Sequence, residues 1–158
     1  MIQYNEPVLR SLELDRVEAL RLLGSVSLGR VVFTRGALPT VRPVQHVLDD
    51  GDIVIRTDEG AALTSHAGQD AGSGVVVAFE ADAIDPVTHL GWSVVVTGYA
   101  RLVTDPRELA RIRSLLCPWA PQQGTDHAVR IRPELVSGVL LTGEDTVPGG
   151  RRGPAGGR

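Results

Sequence analysis

Between Leu12 and Leu23 the apolar residues Leu12, Val17, Leu20 and Leu23, with Leu14 and Ala19 beside them, recur at helical spacing among Glu13, Asp15, Arg16, Glu18 and Arg21. The spacing predicts an amphipathic helix over residues 12–23, ended by Gly24. Beyond it the pattern changes to β-rich runs. Val26 to Phe33 is the first, closed by the Arg35-Gly36 turn signal. Thr40 to Leu48 alternates, so that Val41, Pro43, Gln45 and Val47 share one face and Arg42, Val44, His46 and Leu48 the other. Asp49-Asp50-Gly51-Asp52 has the composition of a hairpin turn, which makes Ile53 to Thr57 the return strand.

Ala61 to Ala67 reads as a short helix, residues 68–74 as a glycine-rich loop, and Val75 to Glu80 as a strand. Asp85-Pro86 turns the chain into a long strand, Trp92 to Val103, where Gly98 marks a bulge or a close backbone approach. Asp105 as N-cap, Pro106 at the first helical position and Glu108 two residues further predict a helix from Pro106 to about Leu116, stopped by Pro118. Two last β runs, Ala128 to Arg132 and Leu135 to Thr142, flank Pro133. Residues 1–142 therefore read as one domain, and the Gly/Pro/Arg-rich stretch 143–158 as a disordered tail. Six or seven strands joined by such short helices cannot form a parallel sheet, whose crossovers need about a dozen residues each. The fold class is mainly β with short helices, and an antiparallel barrel is the economical architecture.

Composition narrows the function. At 158 residues, 42% hydrophobic and 22% charged, the chain has the make-up of one globular domain, able to bury a core without disulfides or a structural metal. Its net charge of -3 argues against nucleic acid, which selects clustered basic side chains. No apolar run reaches the roughly 18–20 residues of a membrane span, and the first residues lack the parts of a signal peptide, so a cytoplasmic location is expected. All 16 basic residues are arginine, which removes Schiff-base and nucleophilic lysine chemistry. The single cysteine, Cys117, has no evident activating partner, and His46, His66, His89 and His127 lack metal-ligand spacing, so no metal site is expected. No GxSxG, Walker A or GxGxxG motif occurs.

What stands out is Arg42-Pro43-Val44-Gln45-His46, where a cation, a proline and an imidazole punctuate a strand. Proline has no N–H to give, so the strand there is an edge, or a place that something other than a neighbouring strand approaches. One reading is an exposed edge with a solvated Arg42 and a surface His46. The other draws on the hairpin: pairing across it can bring Arg56 and Thr57 alongside Arg42 and Val44, next to a helix start at Gly60 to Ala62. Together these groups would receive a phosphate.

These segments resemble the pyridoxamine 5'-phosphate oxidase-like, FMN-binding split β-barrel family. The likeness covers about Leu12 to Gly138. It rests on Gly29-Arg30-Val31-Val32-Phe33, Arg42-Pro43-Val44-Gln45-His46, Arg56-Thr57-Asp58-Glu59-Gly60, Phe79-Glu80-Ala81-Asp82, Gly91 to Gly98, and Val129-Arg130-Ile131-Arg132-Pro133, in that order. The resemblance implies that the strand Arg42 to Val47 lines the flavin and that Arg56 and Thr57 lie near its phosphate or ribityl chain. It also implies that Trp92-Ser93-Val94 reaches a flavin of the partner subunit, in a homodimer with two interfacial sites. His46, and after it His127, are the candidates for contacting substrate or flavin; packing imidazoles are the alternative. Trp119 reads as a loop anchor or pocket rim.

The chain departs from the family pattern just after Gly60. Many members place a Lys or Arg on the FMN phosphate there, whereas this chain has Ala61-Ala62-Leu63. One charge-assisted hydrogen bond is worth about 1.5 to 3 kcal/mol, or roughly ten- to a hundredfold in affinity. Hence F420 and haem stand beside FMN as cofactors. The functional expectation is an oxidoreductase acting on a small organic substrate. The alternatives are a non-catalytic haem or flavin carrier, with His46 as axial ligand, and a dimeric interaction module that has lost its cofactor.

Overall fold

The computed structural model describes residues 9–64, 74–116 and 127–143, and these form seven strands and three helices. In chain order they are β1 (Leu9–Glu13), α1 (Arg16–Gly24), β2 (Leu28–Arg35), β3 (Leu38–Asp49), β4 (Asp52–Thr57), α2 (Gly60–Thr64), β5 (Val75–Ile84), β6 (Gly91–Leu102), α3 (Pro106–Leu115) and β7 (His127–Gly143). The sheet order is β1-β7-β4-β3-β2-β5-β6, with β7 paired to β6 as well, and the pairings are antiparallel. Each strand from β2 to β7 thus has partners on two sides, and the mainly β expectation holds.

Turn chemistry sets the hairpins. Asp50 and Gly51 both take positive φ (52° and 80°) between the paired residues Asp49 and Asp52, the primed turn that matches strand twist. Gly36 and Ala37 do the same between β2 and β3. Gly98 is a close approach, as expected. The β6–β7 register shifts between Thr97 and Gly98, and a Cβ at Gly98 would strike the Arg132 carbonyl oxygen.

Three elements differ from the sequence-based expectation. The helix of residues 12–23 begins only at Arg16, because Asp15 is its N-cap: extended at ψ 165°, it accepts from the Glu18 amide at 2.8 Å. Leu9–Glu13 is then free to form β1, with Leu12 opposite Leu140. Within α1, Ala19 and Leu23 are buried one turn apart while Val17 is 78% exposed. Finally, Pro133 does not divide the last β runs. It sits opposite Gly98 at the register shift, so β7 continues for 17 residues and includes Gly143. The expected helix residues 65–67, loop residues 68–73, His66, Cys117, Pro118, Trp119 and tail residues 144–158 lie outside the described residues.

The main core gathers the inward side chains of the sheet, among them Val31, Val44, Ile53, Ile55, Phe79 and Val94, under Ala19 and Leu23 of α1. Each fully buried side chain of this kind contributes roughly 1.5–3 kcal/mol. A second cluster joins Val54, Val103 and Ala128 to Ile112 and Leu116, seating α3 on the opposite face of β4. No helix among the described residues is long and apolar enough to cross a membrane.

Candidate functional site

β3 is paired unevenly. It runs against β2 from Leu38 to Gln45, but against β4 only from His46 to Asp49. Its β4-side edge from Leu38 to Gln45 therefore has no strand partner among the described residues. Pro43 lies in that stretch, opposite Arg30, which is the interrupted ladder its missing N–H demands.

Alternation divides the side chains that the sequence groups together. On β3, Val44 and His46 turn into the core, whereas Val47 packs on the second cluster beneath α3. On β4, Ile53 and Ile55 face the main core and Val54 the second. Arg56 thus lies on the face of Val54, where its Nη1 donates to the Leu116 carbonyl at 2.6 Å; Thr57 lies on the face of Ile55 and is buried. Arg42 is elsewhere: its Nε donates to Glu59 Oε1 at 2.8 Å and its Nη1 to the Val41 carbonyl at 3.0 Å. The expected pairing of Arg56 with Arg42 is therefore corrected. Carrying the His46–Ile55 register onward sets Arg56 against Gln45 and Thr57 against Val44, so the two guanidinium groups lie on opposite faces.

The start of α2 is built on a tight contact. Thr57 pairs with His127 across β4–β7, and a Cβ at Gly60 would fall on the His127 Cβ, so only glycine lets the helix close against β7. Thr57 Oγ1 accepts from the Glu59 amide at 3.1 Å. Ala61 is exposed and Ala62 half-buried, and this five-residue helix brings no cation. His127 Nδ1 is buried without a hydrogen bond, as are His46 Nδ1 and Glu59 Oε2.

His46 is a packed imidazole, 3% exposed, edge-on to Phe79 at 4.9 Å. Its Nε2 is 2.7 Å from the Leu23 carbonyl, an acceptor only, so Nε2 carries the proton. Burial pushes its pKa down. Trp92 and Val94 are buried in the core of their own chain, with Trp92 opposite Ala83 and Leu140; between them Ser93 is half-buried on the other face.

Beside β3 lies a cleft of about 790 Å³ between the α1–β2 connection, Gln45, His46 and Val47 of β3, Asp82, and the end of α3 at Leu115 and Leu116. A smaller hollow of about 300 Å³ shares Leu28 and Asp82 with it and adds Gly29, Arg30 and Pro43. The cleft has the dimensions of a cofactor site. Along its edge Arg30 Nη1 bridges Glu80 (3.0 Å) and Asp82 (3.3 Å). Burial, and then the neighbouring Asp82, push the Glu80 carboxyl up to about 7 against the pull of Arg30. Neither this carboxylate pair nor Glu59 was singled out chemically from sequence. The alternation of Phe79-Glu80-Ala81-Asp82 was the available signal for the pair; nothing local marks Glu59.

A phosphate held by Arg42 and Arg56 together does not fit, since the two point apart and Arg42 already holds a carboxylate. Among the described residues no group of three His, Cys, Asp or Glu side chains could hold a metal ion.

Comparison with known proteins gives a consistent picture. The family profile described as pyridoxamine 5'-phosphate oxidase matches residues 15–139. An uncharacterized protein of Mycobacterium tuberculosis is 49% identical over 136 residues, 86% of this chain and 89% of that protein. A Corynebacterium glutamicum structure, provisionally described as a pyridoxamine 5'-phosphate oxidase, superimposes with a TM-score of 0.67 at 37% identity, covering 82% of this chain and 97% of its own. The FAD binding protein from Mycobacterium smegmatis does so with a TM-score of 0.61 at 32% identity, covering 84% and 100%.

Proposed function

Because the chain belongs to the pyridoxamine 5'-phosphate oxidase family, we propose that it is a flavin-binding oxidoreductase of split β-barrel form, a cytoplasmic homodimer acting on a small organic substrate. The observation that carries this reading is the position of β3. The strand that the family resemblance gives to the flavin, Arg42 to Val47, supplies Gln45, His46 and Val47 to the wall of the 790 Å³ cleft. The Mycobacterium smegmatis relative, whose name states FAD, supports a flavin of some kind.

A bound flavin supplies hydride or electron transfer, and the protein's part is to hold, orient and shield it. Gln45 is the amide donor and acceptor on the cleft wall. Neutral His46, tied to the Leu23 carbonyl, stiffens the strand behind it. Arg56 fixes the Leu116 carbonyl and so the α3 end of the cleft. The Arg30, Glu80 and Asp82 cluster places an exchangeable proton at the rim.

The test is uptake. Purified protein, mixed separately with riboflavin, FMN and FAD and then desalted, keeps a flavin absorption band and runs as a dimer if the reading is right. A colourless protein after all three would overturn it.

A further inference from the structure

We propose that a second copy of this chain docks on the outward face of strands β3, β2, β5, β6 and β7, and that the pair closes over Glu80, so that pairing takes up protons and weakens as pH rises. The proposal rests on the homodimer of the reading above, not on its flavin, and names the surface and the group that govern it.

Strand register lays out the face. Val41 of β3 stands opposite Val32 of β2, Val32 opposite Ala78 of β5, Ala78 opposite Thr97 of β6, and Thr97 opposite Leu135 of β7. Their chain neighbours Val31, Phe79 and Val96 lie in the main core, so this row crosses five strands on the outer side. Val76 and Val95 extend it along β5 and β6, and Leu135 is 69% exposed. Five strands at about 4.8 Å and the four outward residues of β5 from Val76 to Asp82, at about 6.7 Å, span on the order of 600 Å², near the roughly 800 Å² each partner gives to a stable protein pair.

A charged cluster lies within this face. The strands beside Glu80 bring to it Arg30 on β2 and the uncharged Val95 and Ser93 on β6, and its own strand brings Asp82. Arg30 Nη1 is 3.0 Å from Glu80 and 3.3 Å from Asp82, so one cation serves two carboxylates. A cluster holding both signs inside an apolar face is self-complementary, as a two-fold pair of identical surfaces requires. Two copies bring two guanidinium groups to four carboxylates, and with water excluded the surplus charge is removed by protons. Burial, and then Asp82, already push the Glu80 carboxyl up to about 7 in the single chain. Pairing buries it further, so the dimer holds protons that two separate chains release. Leu28 and Asp82, at one end of the face, also line the cleft, and a docked copy closes the cleft on that side.

Sedimentation of the full chain from pH 6 to pH 9 tests this, with circular dichroism and flavin uptake read on the same samples. The parent should be a dimer at pH 6, and its dissociation constant should rise by at least about tenfold between pH 7 and pH 9, as the linkage of one proton to each Glu80 requires. In Glu80→Gln the dimer should persist with a dissociation constant nearly independent of pH. Leu135→Asp, which buries a carboxylate in the pair, should be monomeric at pH 7 with unchanged circular dichroism, whereas Val17→Asp, on the exposed side of α1, should pair like the parent. Val76→Asp replaces Leu135→Asp if that variant does not fold. A parent that is monomeric at pH 6, which leaves the face to another protein, would overturn the proposal. So would a dissociation constant that is constant or falls from pH 7 to pH 9, the parent's pH dependence retained in Glu80→Gln, or pairing of Leu135→Asp equal to the parent's. A pH-sensitive dimer that takes up no flavin supports the pairing and ends the flavin reading; a monomer that takes up flavin ends the pairing and leaves the flavin reading standing.

Discussion

Buried Arg130 and half-buried Asp49 form an ion pair, with Nη2 2.7 Å from Oδ2 and side chains 7% and 13% exposed. Arg130 also donates to the Asp49 carbonyl and to Glu108, and Arg111 of α3 grips both Asp49 oxygens at 2.6 and 2.7 Å. One carboxylate at the β3–β4 turn thereby ties β7 to the helix whose end closes the cleft.

Asp49→Asn removes the carboxylate that Arg130 and Arg111 share while Arg130 keeps Glu108 and Asp52, and is expected to cost about 1.5–3 kcal/mol in urea unfolding at pH 7, the worth of a hydrogen bond to a charged group. Hydrogen bonds from Arg111 and then Arg130 hold the Asp49 carboxyl down at about 2. A lowered carboxyl pKa gives stability that is present above roughly pH 4 and lost as pH falls toward 2. The difference between parent and variant should therefore shrink over that window; a difference constant from pH 7 to pH 2 would exclude the pair as its source.

Gly60→Ala sets a methyl group on His127 Cβ. Overpacking of this kind costs roughly 1–3 kcal/mol. Thermal unfolding should show that loss, with partial recovery in Gly60→Ala combined with His127→Gly and none with His127→Ala, which keeps the offending Cβ.

Glu80 has the opposite sign from Asp49. Its carboxyl is pushed up to about 7, so the folded chain holds a proton that the unfolded chain releases near the ordinary carboxylate value. That contribution is complete at low pH and fades as pH rises from roughly 4.5 to about 7. Glu80→Gln should accordingly raise the melting temperature at pH 8 relative to the parent and leave it nearly unchanged at pH 4.5. A variant destabilised at pH 8 would mean that the Arg30 bridge outweighs burial.

His46 should remain neutral below the usual imidazole range, since burial disfavours its cation. Nitrogen NMR is expected to show the Nε2–H tautomer at pH 7, and the imidazole should titrate below its ordinary value. The Nδ1–H tautomer at pH 7 would contradict the bond to Leu23.

Much of this molecule was legible in its sequence because local chemistry decides it. The Asp-Gly turn, the Asp105-Pro106 helix start, the glycine at the β6 register shift and the proline on the open part of β3 each follow from one residue's backbone limits. The missing pieces depend on partners distant in the chain. β1 exists because β7 offers it an edge, and Pro133 is tolerated because Gly98 faces it. The site was legible only as a segment. Strand alternation could show that Arg42 and His46 share a face, but the Arg56 and Glu59 contacts depend on where α3 ends and where α2 begins.

The most direct measurement compares flavin titrations of the parent and Gln45→Trp, a half-buried position on the cleft wall whose replacement fills the cleft without entering the core. Saturable binding near one flavin per chain in the parent is predicted. In the variant, affinity should fall by at least about tenfold, the cost of displacing well-packed contacts, while its circular dichroism stays unchanged. Equal affinity in the two proteins, or no saturable binding in the parent, would contradict the assignment of this cleft to a flavin.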